Sequence, residues 1–141
     1  MAHHVSKLTV WSCELEDRPG AVSEKLGALA DAGANLEFVL ARRKPESPGK
    51  GILFVAPLKG KKQEDAARSA YFSVTTELAA LKLEGPNKAG LAQRITDGIA
   101  HAGINLRGLM ASVSGNKYVA LIAFDSFADA ERGAKEIRKI K

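Results

Sequence analysis

Apolar and polar positions alternate with two different periods near the start of the chain. Between residues 8 and 15, Trp11, Cys13 and Leu15 fall on one side, and positions 12 and 14 are polar. This period of two is typical of a half-buried strand. From Val22 to Gly33 the apolar residues recur at three- and four-residue spacing, which is typical of an amphipathic helix. The pattern therefore predicts a strand followed by a helix, with the break at the Pro-Gly step between them.

The same order of patterns continues along the chain. A loop rich in Pro and Gly separates two strand-like stretches, and a further strand opens a second series of elements. Gly115-Asn116 has the composition of a hairpin turn, and Ser126 stands where an N-cap is expected. The pattern predicts strands at 36–41, 51–58, 72–84, 106–113 and 118–125, and helices at 63–70, 91–102 and 127–140.

An internal repeat accounts for this order. Residues 17–36 (DRPGAVSEKLGALADAGANL) align without a gap with residues 87–106 (NKAGLAQRITDGIAHAGINL) at an offset of 70. Each copy predicts the order β-α-β-β-α, and one more strand would complete a ferredoxin-like βαββαβ unit. We therefore predict an α+β protein of two tandem ferredoxin-like units, each with an antiparallel sheet and with its helices on one face.

The strand count predicts the domain boundaries and a partner. The stretch 72–84 is long enough to end the first unit and begin the second, so the predicted domains are 5–76 and 77–141, with a shared strand. The second unit then stops after its last helix, one strand short. Its sheet is expected to keep an open edge, or to be completed by the other repeat or another chain. On this ground we expect a homodimer.

Composition excludes several classes of protein. The 141 residues are 45% hydrophobic, and no apolar run approaches the ~20 residues that cross a bilayer. No secretory signal is visible, and the single cysteine, Cys13, cannot form an internal disulfide, so we expect a cytoplasmic protein. His3 and His4 are expected to fray at the terminus and His101 to be solvated, and no metal, cofactor or catalytic motif occurs. The sequence thus predicts a protein that is not an enzyme, with no metal and no cofactor.

The net charge of +5 leaves a nucleic-acid binder as a rival interpretation. The basic residues form groups at 42–44, 59–62 and 138–141, where loops or a chain end are predicted, so solvated loops explain them. Only 6% of residues are aromatic, and the strands at 51–58 and 118–125 carry no pair of aromatic residues for base stacking. Nucleic acid is therefore the less favoured partner.

Candidate binding chemistry lies at the two strand-to-helix turns. Asp17 and Asn87 each precede, by three residues, a glycine that opens a helix (Gly20 and Gly90). Free amides and the positive dipole end of a helix suit a carboxylate. The alternative is structural: Asp17 and Asn87 would cap the helices, and the asparagines that precede the next strands would satisfy turn backbone.

These two segments resemble ACT domains, small regulatory modules with a D/N-x-P-G turn, a helix and a G-x-N end, and the layout is similar to stand-alone tandem ACT proteins. The resemblance implies edge-to-edge pairing of βαββαβ units and an amino-acid ligand at their interface. Carried over by position, the ligand-binding residues are Asp17, Pro19, Gly20, Ala21, Asn35, Asn87, Gly90, Leu91 and Asn105. The departures are Asp17, where ligand-binding members often have Asn, and Ala89 in place of Pro.

The resulting hypothesis is a non-catalytic sensor that binds an amino acid at ACT–ACT interfaces and regulates amino-acid metabolism or a separate partner enzyme. Two alternatives stay open. One is a ligand-free pairing module that modulates an enzyme, and the other is a nucleic-acid-binding ferredoxin-like protein.

Overall fold

The structure is a computed structural model that describes residues 3–75 and 79–140. The described residues form two compact units: the N-terminal unit, Thr9–Thr75, and the C-terminal unit, which combines residues 3–8 with residues 79–140. In chain order the elements are β1 (His4–Leu8), β2 (Trp11–Glu16), α1 (Ala21–Asp31), β3 (Phe38–Arg43), β4 (Lys50–Ala56), α2 (Gly60–Ser69), β5 (Ser73–Val74), β6 (Ala79–Pro86), α3 (Leu91–His101), β7 (Leu106–Ser114), β8 (Lys117–Phe124) and α4 (Phe127–Arg138).

Each unit has a four-stranded sheet in which all neighbouring strands are antiparallel. The order is β3-β4-β2-β5 in the N-terminal unit and β1-β6-β8-β7 in the C-terminal unit. The predicted fold class, two tandem ferredoxin-like units, is therefore confirmed. The predicted cap is also present, since the Ser126 hydroxyl accepts a hydrogen bond from the Asp129 amide at 3.1 Å and opens α4.

The first strand of the chain belongs to the second repeat, which the sequence analysis did not foresee. Strand β1 pairs with β6 from His4 opposite Glu84 to Leu8 opposite Ala80. The assignment of residues 5–8 to the first unit was therefore wrong, and so was the expectation that His4 frays. The pairing also fills the edge of the C-terminal sheet that was predicted to be open, so the argument for a dimer from a missing strand no longer holds.

In the region of the predicted long strand, 72–84, the structure has two shorter strands, one in each sheet. Ser73–Val74 pairs with β2 and closes the N-terminal sheet, and Ala79–Pro86 lies between β1 and β8 in the C-terminal sheet. The middle of the predicted shared strand, residues 76–78, lies outside the described residues.

Each unit has a core between one face of its sheet and its helices. In the C-terminal unit, alternate residues of β6 and β8 meet apolar residues of α3 and α4, and Leu83, Ile122 and Ile137 are fully buried there. In the N-terminal unit, Trp11, Leu29 and Leu53 are among the buried residues that join β2, α1 and β4. The period-two and period-3.6 patterns thus face each other across the core, as predicted.

Among the described residues, no helix has both the length and the apolar character required to cross a membrane.

Candidate ligand-binding turns

The two strand-to-helix turns have the same backbone conformation. Gly20 is the N-cap of α1 with φ of 86°, and Gly90 is the N-cap of α3 with φ of 79°. This left-handed conformation is open to glycine and strained for residues with a Cβ, which explains the glycine at the same position of both repeats.

Among the described residues, neither helix start has a side-chain cap. No described side chain accepts a hydrogen bond at the N-cap of α1 or α3, so the interpretation of Asp17 and Asn87 as capping residues was wrong. The Ala21 amide donates to the Arg18 carbonyl at 3.3 Å and the Leu91 amide to the Lys88 carbonyl at 3.2 Å. Within residues 3–75 and 79–140, no acceptor is found for the next two amides of each helix, at positions 22, 23, 92 and 93. These donors are available to a carboxylate.

Asp17 makes an ion pair that the sequence analysis missed. The Arg43 Nε donates to the Asp17 carboxylate at 2.8 Å. Arg42 and Arg43 had been assigned to a solvated loop, but they end strand β3, and the Arg42 guanidinium lies 6.0 Å from the centre of the Phe54 ring. Because β2 and β3 both pair antiparallel with β4, they run parallel and end at the same side of the sheet, which brings Arg43 to Asp17. The predicted ferredoxin-like topology places β2 and β3 on either side of β4, so comparing the ends of these two strands could have predicted this contact.

The turn of the N-terminal unit borders a small cavity of about 220 Å³. It lies between the end of β2, the start of α1 and the end of β3, and Asp17, Arg42 and Arg43 are among its lining residues. This volume is below the ~300–1,000 Å³ of drug-sized sites and suits a small metabolite. Of the other predicted residues, Ala21 lines the cavity and Gly20 borders a larger groove of about 640 Å³ along α1. Pro19 is exposed beside them.

The predicted asparagines lie at the other end of the helices. Asn35 is exposed in the segment that leads into β3, and Asn105 precedes β7, where its Oδ1 accepts a hydrogen bond from the Leu106 amide at 3.0 Å. Helices of eleven residues such as α1 and α3 are about 16 Å long. Within one unit, therefore, the structure does not bring Asn35 to Asp17 or Asn105 to Asn87.

The turn of the C-terminal unit has a different charge pattern. Asn87 uses its backbone amide to bond the Asn116 carbonyl at 2.7 Å, and no hydrogen bond of its side chain is found in the described part of the chain. Leu91 is buried, so only its backbone faces the turn. Arg94 donates to the Ala89 carbonyl at 3.1 Å. In the N-terminal turn the position that matches Arg94 is Glu24, which forms an ion pair with Arg18 at 2.8 Å.

His3 lies close to this second turn. The expectation that it frays was therefore wrong. Its imidazole fills the space that a Cβ on Gly85 would need, and both ring nitrogens are buried without a hydrogen-bond partner. Burial, with the nearby charges of Lys88 and Arg94, lowers the pKa of His3. The lowered pKa favours the neutral imidazole, and Lys88 and Arg94 are two cations of this turn that lie near His3.

The structure also shows the surroundings of Cys13 and His101, for which the sequence predicted a buried thiol and a solvated imidazole. Cys13 is buried in the N-terminal core and burial raises its pKa, as expected of a structural thiol. His101 is exposed at the end of α3 and its Nδ1 donates to the Asp97 carbonyl at 2.8 Å. In the described ranges, no three His, Cys, Asp or Glu side chains are grouped so that they could hold a metal ion.

Comparisons with known proteins identify the fold. No family model matches the sequence, and no curated protein matches it. Among solved structures, the protein BT0572 from Bacteroides thetaiotaomicron is 20% identical over 94% of this chain and 89% of its own, with a TM-score of 0.75. The ligand-free regulatory subunit of aspartate kinase from Thermus thermophilus is 13% identical over 99% of this chain and 96% of its own, with a TM-score of 0.66. The chain therefore has the two-unit fold that its resemblance to tandem ACT proteins implied.

Proposed function

We propose that this chain is a non-catalytic regulatory protein that binds a free amino acid at its strand-to-helix turns. The observation that carries the proposal is the N-terminal turn, where unpartnered helix amides lie next to the Asp17–Arg43 ion pair. An α-amino acid carries an ammonium and a carboxylate on one carbon, and such a turn offers a counterpart for each.

The two charges of the ligand would be divided between different groups. The ammonium pairs with the Asp17 carboxylate, which is 38% exposed and so accessible to solvent. The carboxylate is held by the amides of residues 22 and 23 and by Arg43, whose side chain is 81% exposed and can turn toward a ligand. The second turn, with Asn87 beside Lys88 and Arg94, favours the carboxylate only. Asn35 and Asn105 would reach a ligand bound at the turn of another unit, at an interface.

The proposed role is regulation of amino-acid metabolism through a separate enzyme in the cytoplasm. Two observations support it: the fold is shared with the regulatory subunit of aspartate kinase from Thermus thermophilus, and the chain spans nearly all of that subunit. Aspartokinase III of E. coli, in its complex with aspartate and ADP, shares the fold over 97% of this chain and 32% of its own, at 13% identity and a TM-score of 0.60.

A homodimer is part of the proposal and rests on the outer strands β3 and β7. Both are edge strands of their sheets. They carry large apolar side chains that are 38–48% exposed, namely Val39, Leu40, Leu109, Met110 and Val113. Apolar residues on an edge strand favour pairing with another chain.

A thermal-shift screen with each standard amino acid tests the ligand. At about one hundred times the Kd, a ligand stabilises the folded state by ~2.7 kcal/mol, which raises Tm by roughly 5 °C or more. Asp17→Ala and Asn87→Ala form a matched pair at the same repeat position, and neither removes a helix cap. The first should abolish the shift and the second should reduce it less. A screen in which no amino acid shifts Tm would contradict the proposal and favour the ligand-free pairing module.

Analytical ultracentrifugation at micromolar concentration tests the dimer. The wild type should sediment as a dimer, and Met110→Lys with Val113→Lys or Val39→Lys with Leu40→Lys should yield monomers. A monomeric wild type would contradict this part of the proposal and leave the ligand test untouched.

A further inference from the structure

A groove runs between the first strand and the last helix of the C-terminal unit, and none of its lining residues belongs to a strand-to-helix turn. It has a volume of about 270 Å³. Its floor is apolar and its rim is charged, and the lining residues are Val5, Ser6, Lys7, Leu81, Glu131, Ala134, Lys135 and Arg138. No aromatic side chain is among these lining residues, so the groove offers no platform for a nucleic-acid base.

One wall of the groove is a free sheet edge. Strand β1 stands at the end of the order β1-β6-β8-β7 and pairs with β6 on one side only. In an antiparallel edge strand, alternate residues direct their N–H and C=O groups away from the partner. Over residues 3–75 and 79–140, no backbone hydrogen bond joins β1 to any strand but β6. Two or three residues between His4 and Leu8 can therefore accept an added strand.

The rim of the groove has an excess of positive charge. Lys7 and Glu131 neutralise each other at 2.6 Å, and the hydrogen bond from Lys7 lowers the pKa of Glu131 and keeps it ionised. Lys135 and Arg138 form no ion pair with any described residue. They stand three residues apart in the last turn of α4, so they lie on one side of the helix.

We propose that the β1–α4 groove binds an extended acidic segment of a partner protein, which adds as a strand to β1. Alternate apolar side chains of the segment fill the floor formed by Val5, Leu81 and Ala134, and its carboxylates meet Lys135 and Arg138. A second copy of the chain fits this surface less well, because β1 has the sequence HVSKL and brings no carboxylate to the rim.

Fluorescence anisotropy with the full chain tests the groove. The probe is a fluorescein-labelled octapeptide. Its four central residues are Val and Ile in alternation, and two acidic residues flank them on each side. We expect saturable binding that weakens between about 50 and 500 mM salt, because the rim contacts are exposed ion pairs. The same peptide with Lys in place of the acidic residues, or with a central Pro, should bind at least tenfold more weakly.

Charge variants locate the site. Lys135→Glu with Arg138→Glu should lower affinity for the acidic peptide about tenfold or more, and Lys135→Gln with Arg138→Gln should lower it less while preserving the helix end. Lys59→Glu with Lys62→Glu, at the start of α2 in the N-terminal unit, changes the net charge equally and should leave binding unchanged. In NMR titrations, the amides of Val5 to Leu8 should shift with the acidic peptide and not with the Pro peptide.

Absence of binding up to about 1 mM peptide, or equal affinity for the acidic and basic peptides, would overturn the proposal. So would a loss of affinity in the Lys59→Glu, Lys62→Glu variant as large as that in the Lys135→Glu, Arg138→Glu variant. Amide shifts centred on α3 would place the peptide elsewhere and overturn it as well. Competition by an oligodeoxythymidylate would assign the surface to nucleic acid instead. The response of Tm to amino acids should be unaltered in the α4 variants, so failure of this proposal is distinct from failure of the ligand proposal.

Discussion

The two units share one backbone and differ in what their turns present. Gly20 and Gly90 open the helices in the same left-handed conformation, yet the first turn carries an anion and a cation in contact, whereas the second carries an amide among cations. The two repeats therefore share a set of free helix amides and differ in the charged groups around these amides. We therefore expect one turn to discriminate zwitterions and the other to accept carboxylates in general.

The units also differ in how firmly their sheets are closed and covered. In the described residues the C-terminal core contains fifteen buried residues and the N-terminal core nine. The closing strand of the C-terminal sheet has five residues and that of the N-terminal sheet has two. Helix α2 has one buried residue, Ala67, whereas helix α4 has four buried residues. Since buried apolar area drives folding, the N-terminal unit should be the less stable one.

Removal of Phe124 should have the largest effect on this difference. The ring is fully buried in the C-terminal core, and the aligned position of the first repeat is Pro57, so the N-terminal unit has no equivalent. Phe124→Ala should lower the free energy of unfolding by about 3–5 kcal/mol. Urea unfolding by circular dichroism measures the loss, and fluorescence of Trp11, the only tryptophan, reports the N-terminal unit. Phe127→Ala, at an exposed position, serves as control and should cost less than about 0.5 kcal/mol.

Two helical glycines of the C-terminal unit test its close packing, with effects of intermediate size. A Cβ on Gly133 of α4 would lie 2.6 Å from the Phe124 ring, whereas a Cβ on Gly98 of α3 meets nothing within 4 Å. Gly133→Ala should therefore destabilise by about 1–3 kcal/mol through overpacking. Gly98→Ala should stabilise by roughly 0.5–1 kcal/mol, because alanine favours the helix. Equal effects in chemical denaturation would contradict the close packing of α4 on β8.

Exchanging the turn chemistry should have a smaller effect, on ligand affinity. Asp17→Asn removes the carboxylate that pairs with the ligand's ammonium and should weaken amino-acid binding about tenfold in calorimetry. Loss of the exposed pair with Arg43 should cost stability only about 0.2–1 kcal/mol. Asn87→Asp adds a carboxylate beside Lys88 and should reduce binding of simple carboxylates such as acetate at the second turn. Unchanged affinities in both variants would remove the proposed distinction between the turns.

The smallest expected effect is a pH dependence at the helix ends. The hydrogen bond to the Asp97 carbonyl, and the Asp97 charge, raise the pKa of His101, whereas the matching residue of the first repeat is Asp31. A raised pKa means that protonation stabilises the folded state. This contribution is full below the unfolded pKa of about 6.5 and fades as pH rises through the higher folded value. Tm measured between pH 6 and 8 should fall slightly more in the wild type than in His101→Gln.

Most of the fold could be predicted from the sequence because it depends on local periodicity. The stripe from Val22 to Gly33 and the alternation around Trp11 became α1 and β2 within two or three residues of their predicted bounds. Strand β1 was missed because strand pairing is not encoded in local periodicity: Leu8 pairs with Ala80, 72 positions away. A strand count without β1 then led to an open edge that the structure does not have.

The positions of the two turns were predictable, and the charged groups around them were less so. The D/N-x-x-G spacing located both turns, and the glycines at positions 20 and 90 behave as the spacing implied. The partner of Asp17 was missed because Arg43 is 26 positions away, and the two meet only through the parallel alignment of β2 and β3. His3 was missed because its place beside the second turn depends on the pairing of β1 with β6.

The pairing of β1 with β6 also sets an order for synthesis on the ribosome. Residues Thr9–Thr75 are translated as one uninterrupted unit, so the N-terminal sheet and its two helices can form as soon as they leave the exit tunnel. Strand β1 emerges before the N-terminal unit and must wait until β6 has been added about 70 residues later, which takes roughly 4–14 s at 5–20 residues per second. During that interval a five-residue edge strand is without its partner. A permuted gene that places β1 after α4 would abolish the wait, and its product should fold with the same sheets.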